Sequence, residues 1–322
     1  MKNALSISIV MPLYNNAKEV KRALHSVIAQ TVCEFEVLVV NDGSTDGGDA
    51  VVRTMTDTRI RVIDQRNKGV SAARNRGVAE AKGELVAFLD ADDEWRPDFL
   101  ETIVRLNNNF PQCSLFATHY SYMETDGTLR APILRRIPPG AWEGVLENYF
   151  ATAAHSDPPV WSSALAVKRS ALLAIGGFPE GISIGEDLLT WARLAVKVEI
   201  AYSKKQCAVF WLRAPLTGYP TRIPEIPDVV GGQLLDLLTQ VPQEKRRDFY
   251  RYLSLWHRMR ESMFIQLGDR KHGMAETAKM AHYDKADPRV YGYFLAAASP
   301  EMMRNVVLRF FTFVRKVYRA LR

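Results

Sequence analysis

Two acidic clusters in this 322-residue chain carry spacing that could do chemistry. Asp90-Ala91-Asp92-Asp93 follows the apolar run Glu84–Leu89. Carboxylates one residue apart at the end of a buried strand can share a hard divalent cation. Mg²⁺ or Mn²⁺ takes oxygen ligands and commonly combines one or two protein carboxylates with substrate phosphates. The same residues can also be the charged start of a helix whose first turn holds Pro97. Gly185-Glu186-Asp187 opens an apolar helix through Leu188, Trp191, Leu194 and Ala195. A carboxylate here could serve as a catalytic base, with Glu186 pointing elsewhere at helix-start spacing, or both could simply favour the helix dipole. Ala154-His155-Ser156-Asp157 offers Ser, His and Asp, but side-by-side residues cannot face one another as a triad must, and no GxSxG elbow is present. His155 reads as a loop residue. Neither GxGxxG nor GxxxxGK[ST] occurs, which excludes dinucleotide enzymes and P-loop ATPases.

These residues need elements to hold them. Ile7–Leu13 is a nearly unbroken apolar run, as expected of a strand covered on both faces. Val20, Ala23, Leu24, Val27 and Ile28 repeat at helical spacing. Strands at Phe35–Val40, Ile60–Ile63 and Glu84–Leu89 and a helix at Val70–Ala81 continue the alternation, which predicts an α/β fold with a mostly parallel sheet flanked by helices. In such sheets ligands bind beyond the carboxyl ends of the strands. Tyr14-Asn15, Asn41-Asp42 and Asp90 to Asp93 all fall there and are expected to share one crevice. Beyond a proline-punctuated middle, Val160–Val167 reads as another strand. Pro215, Pro220, Pro224 and Pro227 mark a boundary, after which the chain reads as helical.

The motifs occur in a familiar order. Ser8-Ile-Val-Met-Pro-Leu-Tyr-Asn15, Val39-Val-Asn-Asp-Gly-Ser-Thr-Asp46, Asn67-Lys-Gly-Val-Ser-Ala-Ala-Arg-Asn-Arg-Gly77, Phe88-Leu-Asp-Ala-Asp-Asp93, Gly176-Gly-Phe178 and Gly185-Glu-Asp187 together resemble the family 2 glycosyltransferases. The resemblance covers about two-thirds of the chain and implies the Rossmann-like GT-A nucleotide-diphospho-sugar fold. It also implies roles. Pro12, Tyr14 and Asn15 would line the base pocket, with Tyr14 able to stack on a base or merely close the sheet end. Asp42 would bond the base, usually uracil, or act as an Asx-turn residue. Arg74 would lie near the phosphates, whereas Arg76 reads as a solvated charge. In the triplet Asp90-Ala91-Asp92, Asp90 would touch the ribose and Asp92 would hold Mn²⁺ or Mg²⁺. Asp187 would be the general base of an inverting transfer, removing the acceptor proton while the metal steadies the departing diphosphate.

One departure is visible. Relatives often carry a histidine shortly after the last strand that helps hold the metal or diphosphate. Phe210-Trp-Leu-Arg-Ala-Pro-Leu-Thr217 has none, and Arg213 is the candidate diphosphate contact in its place.

The implied reading is a GT-A catalytic domain over 1–220, with a nucleotide-sugar half (1–95) and an acceptor half (96–220), then a helical region over 221–322. Its donor would be a nucleotide-diphospho sugar, with UDP the expected carrier, and its acceptor a saccharide or lipid-linked saccharide of bacterial surface polysaccharide or glycolipid synthesis. The alternatives are a nucleotidyltransferase, which would normally show a glycine-rich phosphate loop, and a degenerate GT-A domain that binds without turnover. Three widely spaced cysteines without a CxxC pair fit neither a disulfide framework nor a zinc site. The first residues read as a strand rather than a signal peptide, and no run of about 18 apolar residues suggests a spanning helix. Residues 302–321 lack acidic side chains. Met303, Val307, Phe310, Val314, Val317 and Leu321 line one helical face, and Arg304, Arg315, Lys316, Arg319 and Arg322 gather opposite. Such a basic amphipathic helix could lie on an anionic membrane or dock on protein. The expected location is therefore the cytoplasm or the cytoplasmic face of the inner membrane. Nucleic acid is not an expected partner, since no recognition motif accompanies the net charge of +6.

Overall fold

A computed structural model describes residues 6–212 and 223–298, which fall in two compact units, Met1–Ala214 and Pro215–Arg322. The expected boundary near 220, Arg213 and the basic segment 302–321 lie outside the described residues.

The first unit runs β1 (Ile7–Leu13), α1 (Val20–Ile28), β2 (Phe35–Asp42), α2 (Gly48–Arg53), β3 (Ile60–Gln65), α3 (Val70–Glu80), β4 (Leu85–Phe88), β5 (Glu94–Trp95), α4 (Phe99–Asn109), β6 (Leu115–Met123), β7 (Leu129–Arg130), β8 (Glu143–Val145), α5 (Tyr149–His155), β9 (Leu165–Lys168), α6 (Arg169–Ala174), α7 (Glu186–Ala195) and β10 (Ile200–Trp211). One sheet orders these strands β3-β2-β1-β4-β9-β6-β10-β5, with β7 beside β6 and β8 beside β10. Strands β1 to β4 pair in parallel, as do β6 and β10, while β9 runs antiparallel between β4 and β6. Because β9 reverses direction twice over, β1 to β4, β6 and β10 all point the same way. Their carboxyl ends therefore share one edge.

The apolar runs behave as their composition requires. Every residue of β1 is buried, as are the four of β4, and each such aliphatic side chain contributes roughly 1.5–3 kcal/mol by leaving water. Helix α3 packs closely on β1 because Gly77 has no side chain. A Cβ there would come within 2.3 Å of Val10 Cγ1.

Three local expectations change. The strand expected at Val160–Val167 is confined to Leu165–Lys168, because Ser162–Ala164 form a 3₁₀ turn. That turn lets the Ser163 hydroxyl reach the end of β4, which an extended Ser163 paired in the ladder would not. His155 ends α5 rather than lying in a loop, its Nδ1 2.8 Å from the Ala151 carbonyl oxygen. Pro97 precedes the N-cap Asp98 of α4 instead of sitting in its first turn, and its carbonyl accepts from Thr31 N–H.

The second unit is helical: α8 (Val229–Asp236), α9 (Arg246–Leu267), α10 (Arg270–Tyr283) and α11 (Pro288–Ala298). Asp228 caps α8 by accepting from Gly231 N–H and also accepts from the Trp256 indole. No described helix is long and apolar enough to cross a membrane.

Candidate active site

The loops at the shared carboxyl edge are tied to one another by side chains. Asn15 follows β1 with φ at +51°, a conformation that asparagine tolerates better than most residues. Its side-chain oxygen accepts from Thr45 N–H at 2.9 Å, and its own N–H donates to Ser44 Oγ at 3.2 Å. Asn41, rather than Asp42, makes the local turn bond, accepting from Ser44 N–H at 3.0 Å. Asp42 is released for a longer reach. Its carboxylate accepts from Lys68 N–H and Gly69 N–H, each at 2.9 Å, and from the Gln65 amide at 2.8 Å. Those amides enter α3, so Asp42 fixes where that helix starts. Gly43 is required at the turn between them, with φ +73° and Asn67 N only 3.0 Å from any added Cβ. Tyr14 stands 49 % exposed beside this loop, whereas Pro12 is buried within β1 opposite Val40.

Helix α3 then places Arg74. Its side chain is 4 % exposed; Nη2 donates to Asp90 Oδ1 at 2.8 Å and Nη1 lies 3.8 Å from Glu186 Oε1. Burial alone would lower its pKa, but the Asp90 and Glu186 charges outweigh that and hold it above the ordinary guanidinium value. Two of its nitrogens, Nε and Nη1, are buried without a hydrogen-bond acceptor. Glu186 was expected to point elsewhere; instead it is buried against Arg74, and Asp187 stays half-exposed on the first turn of α7. Asp187 also belongs to the field around Arg74.

The link between α3 and α7 is Asn75, one residue on. Its amide oxygen accepts from Phe178 N–H at 2.8 Å, while its amide NH₂ donates to the Phe178 carbonyl and to Glu180, both at 2.9 Å. Phe178 packs edge-on against Phe88 and Trp191, with the Arg74 guanidinium 5.3 Å from its ring centre. Gly177 lets this turn seat, since a Cβ would fall 2.5 Å from Asn75 Oδ1.

At the end of β4, Asp90 N–H donates to Ser163 Oγ at 3.0 Å, and the Ser163 hydroxyl donates to Asp93. Asp93 is fully buried. Burial first, and then the Asp90 and Asp92 charges, push its carboxyl well above the usual carboxylate range. Ala91 is buried in the core, whereas Asp92 is half-buried and its carbonyl accepts from Arg22 at 2.6 Å. Arg76 is exposed and pairs with Glu80 at 2.9 Å. Sequence reasoning missed Arg22, Asn75 and Ser163. Asn75 lies inside the Asn67–Gly77 motif, and two serines within an expected strand were a signal for the turn at Ser163.

The residues that could hold a cation here are all carboxylates. Among the described residues, one trio of His, Asp or Glu ligand atoms converges, Asp228, His257 and Glu276 in the second unit. Arg260 already lies 3.4 Å from Asp228 and 3.2 Å from Glu276 there, so that trio is a salt-linked hub rather than a vacant cage. In the first unit the oxygen donors Asp90 and Asp92 instead fit Mg²⁺ or Mn²⁺, which take one or two protein carboxylates and complete their shell with phosphate and water.

Residues 8–155 match the family model described as glycosyl transferase family 2. An uncharacterized glycosyltransferase of Nostoc is 43 % identical over 105 residues, 32 % of this chain and 33 % of that protein. One from Rickettsia conorii is 30 % identical over 208 residues, 63 % of this chain and 32 % of that one. The chain thus spans about a third of the length of these relatives. Staphylococcus aureus TarS 1–349, solved in complex with UDP-GlcNAc, is 17 % identical with a TM-score of 0.60, covering 86 % of this chain and 91 % of that one. The fold is accordingly the GT-A α/β fold.

Proposed function

We propose, from the premise that residues 8–155 are a glycosyl transferase family 2 region on a GT-A fold, that the chain transfers a sugar from a UDP-sugar to an acceptor hydroxyl with inversion. The observation that carries this reading is Arg74: buried, charged, with Nε and Nη1 lacking a hydrogen-bond acceptor, at a strand edge where Asp90, Asp92 and Asp187 remain half-exposed. A diphosphate offers oxygen acceptors of the right charge for those nitrogens. Asp42, already bonded by three donors, keeps a lone pair for a base N–H. Tyr14 offers an exposed ring for stacking.

In this scheme Asp92 holds the divalent cation, which when bound supplies Lewis-acid stabilisation of the leaving diphosphate. Asp187 takes the proton from the acceptor hydroxyl as it attacks the anomeric carbon. Glu186 cannot share that task, because its carboxylate is turned inward to Arg74. Arg213 is assigned a diphosphate contact on its sequence position alone. Surface polysaccharide or glycolipid assembly on the cytoplasmic face of the inner membrane is the proposed setting, with the basic segment 302–321 touching anionic lipid. Cosedimentation with phosphatidylglycerol vesicles, lost on deleting 302–322, tests that contact; binding unchanged by the deletion refutes it.

Thermal stabilisation by UDP, GDP and CDP, with and without Mn²⁺, tests the donor site. A ligand at about 100 times its Kd adds about 2.7 kcal/mol. The expected result is a Mn²⁺-enhanced shift with UDP that Asp92→Asn abolishes. Absence of any nucleotide shift in folded protein would refute the donor site and favour a degenerate domain.

A further inference from the structure

The carboxyl edge also carries an aromatic row outside the acidic cluster. Tyr120 and Tyr122 come from the end of β6, Phe210 from the end of β10, and Trp161 from the segment entering the 3₁₀ turn. Ring centres are 5.4 Å apart for Tyr120–Tyr122, 5.7 Å for Tyr122–Phe210, 4.6 Å for Phe210–Trp161 and 5.9 Å for Trp161–Tyr120, so the four rings close a circuit. Tyr120 is the buried floor, its hydroxyl donating to the Pro158 carbonyl at 3.0 Å. Tyr122, Trp161 and Phe210 pack on the core below yet stay half-exposed. The row begins at the acidic cluster, since the Trp161 indole N–H lies 3.4 Å from Asp93 Oδ2. It is flanked by charge: Arg130 sits 4.3 Å over Tyr122 and pairs with Glu124, and Arg22 sits 3.9 Å over the neighbouring Trp211.

We infer that Tyr122, Trp161 and Phe210 are the acceptor platform and that the acceptor is a saccharide ring. The inference rests on the glycosyl-transfer reading above and names the substrate class of that site. A pyranose presents a flat face of C–H groups, which pack on aromatic faces, and a rim of hydroxyls, which suit flanking Arg and Glu side chains. A linear polyol or a protein hydroxyl has no such face. Distance agrees with the assignment. Strand β9 alone separates β4 from β6, so the platform begins roughly 10 Å from the strand that carries Asp90 and Asp92. Trp161 spans that gap, its indole N–H 3.4 Å from Asp93 Oδ2, so the platform reaches the acidic cluster where the donor is proposed to lie.

Saturation-transfer NMR on the full chain with UDP and Mn²⁺ tests this, using methyl glycosides of glucose, galactose and mannose in both anomers, with ribitol as the linear control. Saturation should pass to the ring C–H protons of at least one pyranoside and not to ribitol. Phe210→Leu, which keeps apolar volume but removes the flat ring, should weaken that pyranoside at least fivefold, and Phe210→Tyr should restore it. The UDP melting shift should be the same in all three proteins, which a merely misfolded variant would not show. Pyranosides that fail to bind beside an intact UDP shift, equal binding of ribitol, or an unchanged affinity in Phe210→Leu would each overturn the platform. Loss of the UDP shift in the wild type would instead overturn the donor site.

Discussion

Glu186 and Asp187 show how adjacent carboxylates acquire different duties from small differences in placement. Both carboxylates of the Glu186-Asp187 pair lie in the first turn of α7, yet one is spent on Arg74 and the other faces outward. Removing them should therefore have different signatures. Asp187→Asn keeps the shape and the helix start, so UDP-induced stabilisation should be unchanged while transfer falls by roughly 10²–10⁴-fold, the usual size of a general-base contribution. Glu186→Gln withdraws a charge from a buried guanidinium and should lower stability before it lowers the chemical step. Initial rates measured beside melting curves separate the two. An Asp187→Asn enzyme with full activity would remove that residue from the mechanism.

At the scale of elements, the site depends on how closely α3 lies on β1. The approach is set by Gly77, where a Cβ would meet Val10 Cγ1 at 2.3 Å, Cγ2 at 2.9 Å and Cβ at 3.1 Å, so that the valine or the helix must shift. Gly77→Ala should cost about 1–3 kcal/mol as overpacking, even though alanine favours an exposed helix. Because α3 carries Arg74 and Asn75, the UDP shift should weaken as well; denaturant melts and UDP titration of the variant check both. Much of this was legible in the sequence. The unbroken apolar runs marked β1, β2 and β4, and the polar residues after them marked the edge. What escaped was whatever long-range partners decide. Ser163 turns away from strand geometry because Asp93 and the Asp90 amide need a hydroxyl. Asp42 looked like a turn residue, but its acceptors serve amides 26 and 27 positions away. Neither choice leaves a trace in local periodicity. Glu186 eluded reading for a related reason: helix-start spacing does not say which of two adjacent carboxylates meets a guanidinium from another helix.

For the molecule as a whole, the two units bury titratable groups of opposite kind, and their stabilities should respond to pH in opposite directions. In the first unit His119 is buried between strands, its Nδ1 3.3 Å from the Tyr202 hydroxyl. Burial, helped by Lys204 and opposed by Asp157, lowers its pKa from 6.5 to about 4. It folds neutral, so stability is full above pH 6.5 and declines as pH falls toward 4, because the unfolded chain binds the proton first. In the second unit Glu261 is buried with one carboxyl oxygen accepting from Thr277 and the other unpartnered. Burial raises its pKa from 4.5 to about 8, opposed by Thr277 and reinforced by Glu276. Here the folded state holds the proton, so stability is full below pH 4.5 and declines as pH rises toward 8. At about 1.4 kcal/mol per pH unit across each window, the upper bounds are roughly 3 kcal/mol for His119 and roughly 5 kcal/mol for Glu261. Amide hydrogen exchange resolves the units within one protein. Protection in α9 and α10 should fall between pH 5 and 8, after correction for the intrinsic exchange rate, and Glu261→Gln, which mimics the protonated acid, should flatten that slope while leaving β6 and β10 untouched. If α9 keeps the same pH slope in Glu261→Gln, the buried carboxyl is not its source.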